Sequence, residues 1–68
     1  MQTYYVRVAL KDDSVRYIAH ENVAHVEWKE SGKILALEFG EREIDRRYIY
    51  YPVERIDYVE VQEENERE

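Results

Sequence analysis

Apolar and polar residues alternate with a period of two along most of this chain, the pattern of β-strands with one buried face. In the first segment Tyr4, Val6, Val8 and Leu10 alternate with Tyr5, Arg7 and Ala9. Lys11-Asp12-Asp13-Ser14 then reads as a turn, because Asp and Ser side chains bond to nearby backbone. A second strand is predicted from Ser14 to His20, a break at Glu21-Asn22, and a third strand from Val23 to Lys29. Glu30-Ser31-Gly32-Lys33 has hairpin-turn chemistry, with Gly32 free to take a positive φ. Ile34 to Phe39 is the fourth strand, with Leu35, Leu37 and Phe39 on one face, and Gly40-Glu41 turns the chain into a fifth, Glu43 to Tyr51. Good helix formers cluster from Glu41 to Arg47, yet Ile44 is the only apolar residue among them, so no helical stripe forms and strand is expected. Pro52 cannot donate to a central ladder, so that strand stops there. Residues 52–55 make one tight turn, compatible with 3₁₀ geometry, before a sixth strand from Ile56 to Gln62.

The chain also resembles itself. Arg16-Tyr17-Ile18 recurs as Arg47-Tyr48-Ile49, followed by His20 in one case and Tyr51 in the other. Val23-Ala24-His25-Val26-Glu27-Trp28 then matches Ile56-Asp57-Tyr58-Val59-Glu60-Val61. Upstream, Tyr4, Val6 and Val8 align with Leu35, Leu37 and Phe39. Three strands with one apolar face cannot cover themselves, and a second copy supplies the missing layer. The competing explanation is coincidence, since small β proteins share a vocabulary of Val, Tyr and Arg. The fold expected is all-β: six short, mostly antiparallel strands in a small sandwich or partly open barrel, with an internal β-β-β duplication. Its halves would be about 4–28 and 35–61, within one domain over 1–61. Tyr50-Tyr51-Pro52-Val53-Glu54-Arg55-Ile56 resembles the last strand–turn–strand of SH3-like and Sm-like small barrels. That likeness carries no family-specific signature and bears on the fold alone.

Composition sharpens the energetic problem. A 68-residue domain buries only roughly 60% of the surface its unfolded chain exposes. Such small scaffolds usually rely on disulfides, a metal or oligomerisation. There is no cysteine and there are only two histidines, which leaves close packing or self-association. No apolar run approaches the roughly 20 residues of a membrane-spanning helix, and MQTYYVRVAL lacks the features of a signal peptide. A cytoplasmic protein with no membrane partner is therefore expected. The net charge of −6 is uneven, with −3 on residues 62–68 (QEENERE), which is expected to be an acidic, disordered tail that aids solubility.

Catalytic chemistry finds little support. The only serines, Ser14 and Ser31, lie in turns with no adjacent histidine, and Ser31-Gly32-Lys33 lacks the glycine-rich loop of a phosphate cradle. Carboxylates abound but alternate with arginine and lysine in surface runs such as Glu41-Arg42-Glu43. His20 and His25, with Glu21 and Glu27, offer imidazole and carboxylate to a metal, but their spacing matches no standard site and ordinary strand histidines explain them better. The expectation is no enzyme, no cofactor and no metal.

Seven tyrosines are the chain's most distinctive asset. In Arg46-Arg47-Tyr48-Ile49-Tyr50-Tyr51, alternation puts Arg46, Tyr48 and Tyr50 on one strand face and Arg47, Ile49 and Tyr51 on the other. Both faces are thus rich in large side chains, and a two-layer domain needs only one of them. Tyr and Arg are enriched where proteins bind, although Tyr is also simply a good strand former. The candidate binding surface comprises Arg46, Arg47, Tyr48, Tyr50, Tyr51, Tyr5 and Trp28. The function expected is a non-catalytic protein-interaction module, self-associating as a homo-oligomer through Tyr-rich strand surfaces or an open edge. By analogy alone, such compact acidic β domains also suit viral or mobile-element accessory proteins that occupy a host protein's surface. Imitation of DNA phosphates by carboxylates would need rows of acids, and here acids and bases alternate. The alternative is binding of single-stranded nucleic acid or a nucleotide by a small barrel, with tyrosines or Trp28 as stacking platforms. The net negative charge opposes it.

Overall fold

A computed structural model describes residues 2–12 and 17–65. The strands are β1 (Gln2–Leu10), β2 (Ile18–Lys29), β3 (Ile34–Phe39), β4 (Arg47–Pro52) and β5 (Ile56–Asn65). They form one antiparallel sheet of five strands in the order β4-β3-β2-β1-β5.

Five strands replace the six expected because Glu21-Asn22 does not end a strand. Asn22 takes a left-handed φ of 60° inside β2, which Asn tolerates better than most residues. Against β1 the register slips there, from Tyr4↔Val23 to Val6↔His20. A second slip against β3, between Val23↔Phe39 and His25↔Glu38, leaves Ala24 without a partner. The residues between Glu21 and Ala24 are therefore a double β-bulge that bends one long strand rather than a break between two. The start expected at Ser14 lies outside the described residues.

The other turns follow their chemistry. At the β2–β3 hairpin Glu30, Ser31 and Gly32 take φ of 56°, 58° and 88°, and the amides of Gly32 and Lys33 both bond the Lys29 carbonyl. The fifth expected strand begins four residues late, because Glu43–Asp45 form a 3₁₀ turn. That turn is held by the Asp45 amide on the Arg42 carbonyl (2.9 Å) and by Arg42 Nε on Asp45 Oδ2 (2.8 Å). Gly40, at φ 101°, lies so close under it that a Cβ would sit 2.7 Å from the Asp45 carbonyl carbon. Val53–Arg55 form the expected tight turn after Pro52, also 3₁₀. Beyond it β5 runs past Gln62 to Asn65, pairing Glu63 with Tyr4, Glu64 with Thr3 and Asn65 with Gln2. The first residues assigned to an acidic tail are therefore strand, and residues 66–68 lie outside the described set.

The sheet folds over its own apolar face. Tyr51 shares a cross-strand row with Leu35 and Trp28, whereas His20 lies eight residues before Trp28 on β2. In a flat sheet those eight residues would separate them by roughly 26 Å along the strand, yet His20 Nε2 and the Tyr51 hydroxyl are 2.8 Å apart. The bend in β2 therefore sets its first half, with β1 and β5, against its second half, with β3 and β4. Between them lie Val6, Val8, Val23, Leu35, Leu37, Phe39 and Ile56, flanked by Tyr4, Leu10, Val26, Ile49, Tyr51 and Val59. No barrel closes: β4 and β5 remain at the two edges, with no ladder between them among the described residues.

The ladders of the two halves have matching registers. Val6↔His20 and Val8↔Ile18 correspond to Leu35↔Tyr51 and Leu37↔Ile49. Val8↔Val59 and Val6↔Val61 correspond to Leu37↔Val26 and Leu35↔Trp28, and the bulge before Leu10↔Ile56 to that before Phe39↔Val23. These pairs set Val6 and Val8 against Leu35 and Leu37, a slide of one strand period from the alignment read off the sequence.

Candidate functional site

β4 is an edge strand paired only to β3 among the described residues, with Glu38↔Tyr48, Ala36↔Tyr50 and Leu37↔Ile49. Its side chains divide as the alternation requires. Tyr48 and Tyr50 point away from the core, 47% and 54% exposed, and their rings stack at 5.9 Å and 9°. Arg46 stands beside them with Nε 3.2 Å from Glu38 Oε2. On the other face Arg47 lies over the Phe39 ring at 5.0 Å, Ile49 packs on the core, and Tyr51 packs there too while bonded to His20.

The seven residues singled out in the sequence do not form one surface. Arg46, Tyr48 and Tyr50 form an outward patch on β4, while Arg47 and Tyr51 turn toward the core. Trp28 shares the core-facing row of Leu35 and Tyr51 but lies near the end of β2, where it is 50% exposed. Tyr5 lies on β1, in the other half of the bent sheet.

Tyr5 belongs instead to a cluster that the sequence reading missed. Arg7 has its guanidinium carbon 5.6 Å from the Tyr5 ring centroid and 5.2 Å from that of Tyr17. Its Nε lies 3.2 Å from Glu60. A hydrogen bond to Tyr17, with the nearby Glu60 carboxylate, holds the guanidinium charged above its already high ordinary pKa. A shallow hollow beside it is lined by Tyr5, Arg7, Glu60, Val61 and Gln62. The alternation of Tyr5 and Arg7 was visible in the sequence; what was not visible is the register Arg7↔Glu60 and Ala9↔Tyr58, which brings β5 alongside.

His20 is pushed below its ordinary pKa, and Tyr51 above its own, by burial. His25 lies 3.7 Å from Glu27, and no three His, Asp or Glu converge among the described residues. None of the described helices is long and apolar enough to cross a membrane. No protein-family model matches this chain, and neither curated proteins nor solved structures show significant similarity to it.

Proposed function

We propose that this protein is a non-catalytic interaction module that associates with copies of itself through its Tyr-rich edge. One observation carries the reading: Tyr48 and Tyr50 are stacked and half-exposed on a strand whose outer edge has no partner among the described residues. Two tyrosines that order each other present broad contact area at low entropic cost, and Tyr is frequent among the residues that dominate binding. An open edge is itself a template for pairing. The strand order, the long bent β2 and the 3₁₀ turn before β5 support an SH3-like arrangement left open at β4 and β5. The matching registers of the two halves support an origin by duplication of a β-β-β unit.

Light scattering across a concentration series tests the function. A mass above that of one chain, reduced by Tyr48→Ala and Tyr50→Ala without loss of the β circular-dichroism signal, is the expected result. A monomer at several hundred micromolar overturns it. The Tyr48–Tyr50 stack also favours a second reading, as a platform for single-stranded nucleic acid. Against that reading, the neighbouring Arg46 is engaged by Glu38. Filter binding of a mixed-sequence oligonucleotide at low salt separates the two, and retention lost in the tyrosine variants would favour the platform.

A further inference from the structure

Strand parity decides which backbone groups β4 leaves free. The Val53 amide bonds the Lys33 carbonyl at 2.8 Å, and the ladder continues from that pair through Leu35↔Tyr51, Leu37↔Ile49 and Phe39↔Arg47. In an antiparallel pair, bonded and non-bonded positions alternate. Arg47, Ile49 and Tyr51 therefore spend their N–H and C=O groups on β3. Tyr48, Tyr50 and Pro52 turn theirs to the outer edge, which has no partner among the described residues. Pro52 has no N–H, and the Arg46 amide already bonds the Glu43 carbonyl at 3.2 Å. The strand's free donors are thus those of Tyr48 and Tyr50, the stacked pair.

Few ways of joining two copies keep core-facing residues on one side of a continuous sheet. β4 and β5 run in the same direction, so joining one to the other would need a parallel pair, which is slightly weaker per residue. Joining β5 to β5 would crowd two sets of Asp57, Glu60, Glu63 and Glu64 with no basic residue on the strand to answer them. Joining β4 to β4 about a two-fold axis normal to the sheet gives an antiparallel pair, keeps the core faces together and gathers no acids.

We infer that β4 pairs with the β4 of a second copy, antiparallel about a two-fold axis at Ile49. This rests on the self-association proposed above and specifies its partner strand and register. Tyr48 lies opposite the partner's Tyr50, and the free N–H and C=O groups of each bond the other. Arg46 lies opposite the partner's Pro52, and with no N–H to give on either side the ladder ends there. On the core-facing side the half-buried Ile49 meets the partner's Ile49, and Arg47 meets the ring of the partner's Tyr51, a favourable cation–π partner. The two Arg47 residues then stand roughly 14 Å apart along the strands, beyond the screening length of about 10 Å at 0.1 M salt. Sliding by two positions one way brings them to roughly 7 Å. Sliding the other way sets Tyr48 against the partner's Pro52, which has no N–H to return. Because the same strand serves both copies, the contact closes as a dimer.

The absence of cysteine makes cross-linking a clean test. Opposed residues of an antiparallel pair have Cα atoms about 4.5–5.5 Å apart, within the span of a disulfide. Ile49→Cys alone should give a disulfide-linked dimer on oxidation. Tyr48→Cys and Tyr50→Cys should cross-link only when mixed, since like positions lie roughly 8–9 Å apart, past the reach of the bond. A cross-link in either tyrosine variant alone, or none in a mixture that light scattering shows to be associated, overturns the register while leaving self-association intact. Assembly beyond two chains overturns the two-fold closure in the same way. An unsubstituted chain that stays monomeric at several hundred micromolar overturns both readings. A second route needs no cysteine. Proline is tolerated where an edge strand's N–H faces outward, so Tyr50→Pro should keep the β circular-dichroism signal yet weaken dimerisation by roughly tenfold or more beyond Tyr50→Ala. Equal weakening by the two variants would mean that side chains alone make the contact, and overturns the edge pairing.

Discussion

His20 shows how one side chain couples the halves of the sheet to pH. Its imidazole reaches across the core from β2 to the Tyr51 hydroxyl on β4 at 2.8 Å, with the Phe39 ring edge-on at 6.1 Å and Val6 opposite it on β1. Burial lowers its pKa below 6.5 because the charged form loses hydration. Burial likewise raises the pKa of Tyr51, so the hydroxyl keeps its proton throughout the neutral range and can serve either as donor to Nε2 or as acceptor from it. The unfolded chain therefore takes up a proton at a higher pH than the folded one. The sign follows: this contribution to stability is fully present above about pH 7, and it falls as pH drops from about 6.5 toward the lowered folded value. Urea midpoints measured from pH 8 to pH 5 should decline over that window, and His20→Gln should remove that part of the decline. An unchanged pH profile in the variant would show that His20 is not the group responsible. Tyr51 was expected in a binding surface, and its hydrogen bond gives it a structural task instead. Alternation had already placed it opposite Tyr48 and Tyr50, but what lay beneath it depended on a fold across the sheet.

At the scale of elements, the double bulge in β2 does most to shape the molecule. Without it a twelve-residue strand would run straight, and its first half could not turn the His20 side toward β4. Asn22 holds a left-handed conformation that costs a β-branched residue about 1–2 kcal/mol and glycine almost nothing. Asn22→Val should thus lower stability by about that amount, with Asn22→Gly near neutral, as denaturant titration would measure. Equal losses in both would mean that the Asn side chain, not the backbone, matters. The Glu21-Asn22 signal was legible in the sequence as an interruption, but polar residues look the same whether a strand ends or bulges. Only pairing on both sides, to β1 and to β3, distinguishes the two. Strand identity was read well where alternation was strict, as in Ile34 to Phe39, which coincides with β3. It failed at Glu43 to Asp45, where a local Arg42–Asp45 contact stabilises a 3₁₀ turn without any apolar periodicity. It also failed at Glu63 and Glu64, whose charges suggested a frayed end. Backbone pairing to Thr3 and Tyr4 incorporates them regardless, and Thr3 Oγ1 bonds Glu64 at 3.3 Å. Of the candidate surface, the face carrying Arg46, Tyr48 and Tyr50 was legible from period-two alternation, while the cluster around Arg7 required the long-range register of β5.

For the whole molecule the question is how so short a chain, without disulfides, holds an open sheet. Its fully buried side chains are few, with Leu35, Leu37, Val6, Val8 and Val23 the largest. Trp28 and Val61, which occupy matching positions in the two halves, remain half-exposed on the core-facing side. A closed barrel would cover such residues by joining its edges within one chain. Among the described residues the edges stay apart, and the self-association proposed above would add coverage. If self-association supplies it, folding and assembly are linked by mass action, and the folded state gains stability as the protein becomes more concentrated. The midpoint of thermal unfolding should therefore rise across a range from 5 to about 500 micromolar, since binding confined to the folded state favours it. Tyr48→Ala with Tyr50→Ala, on the exposed face of β4, should flatten the concentration dependence. A midpoint independent of concentration in the unsubstituted protein would mean that the single copy is stable with both edges bare, and that its tyrosines serve some other contact.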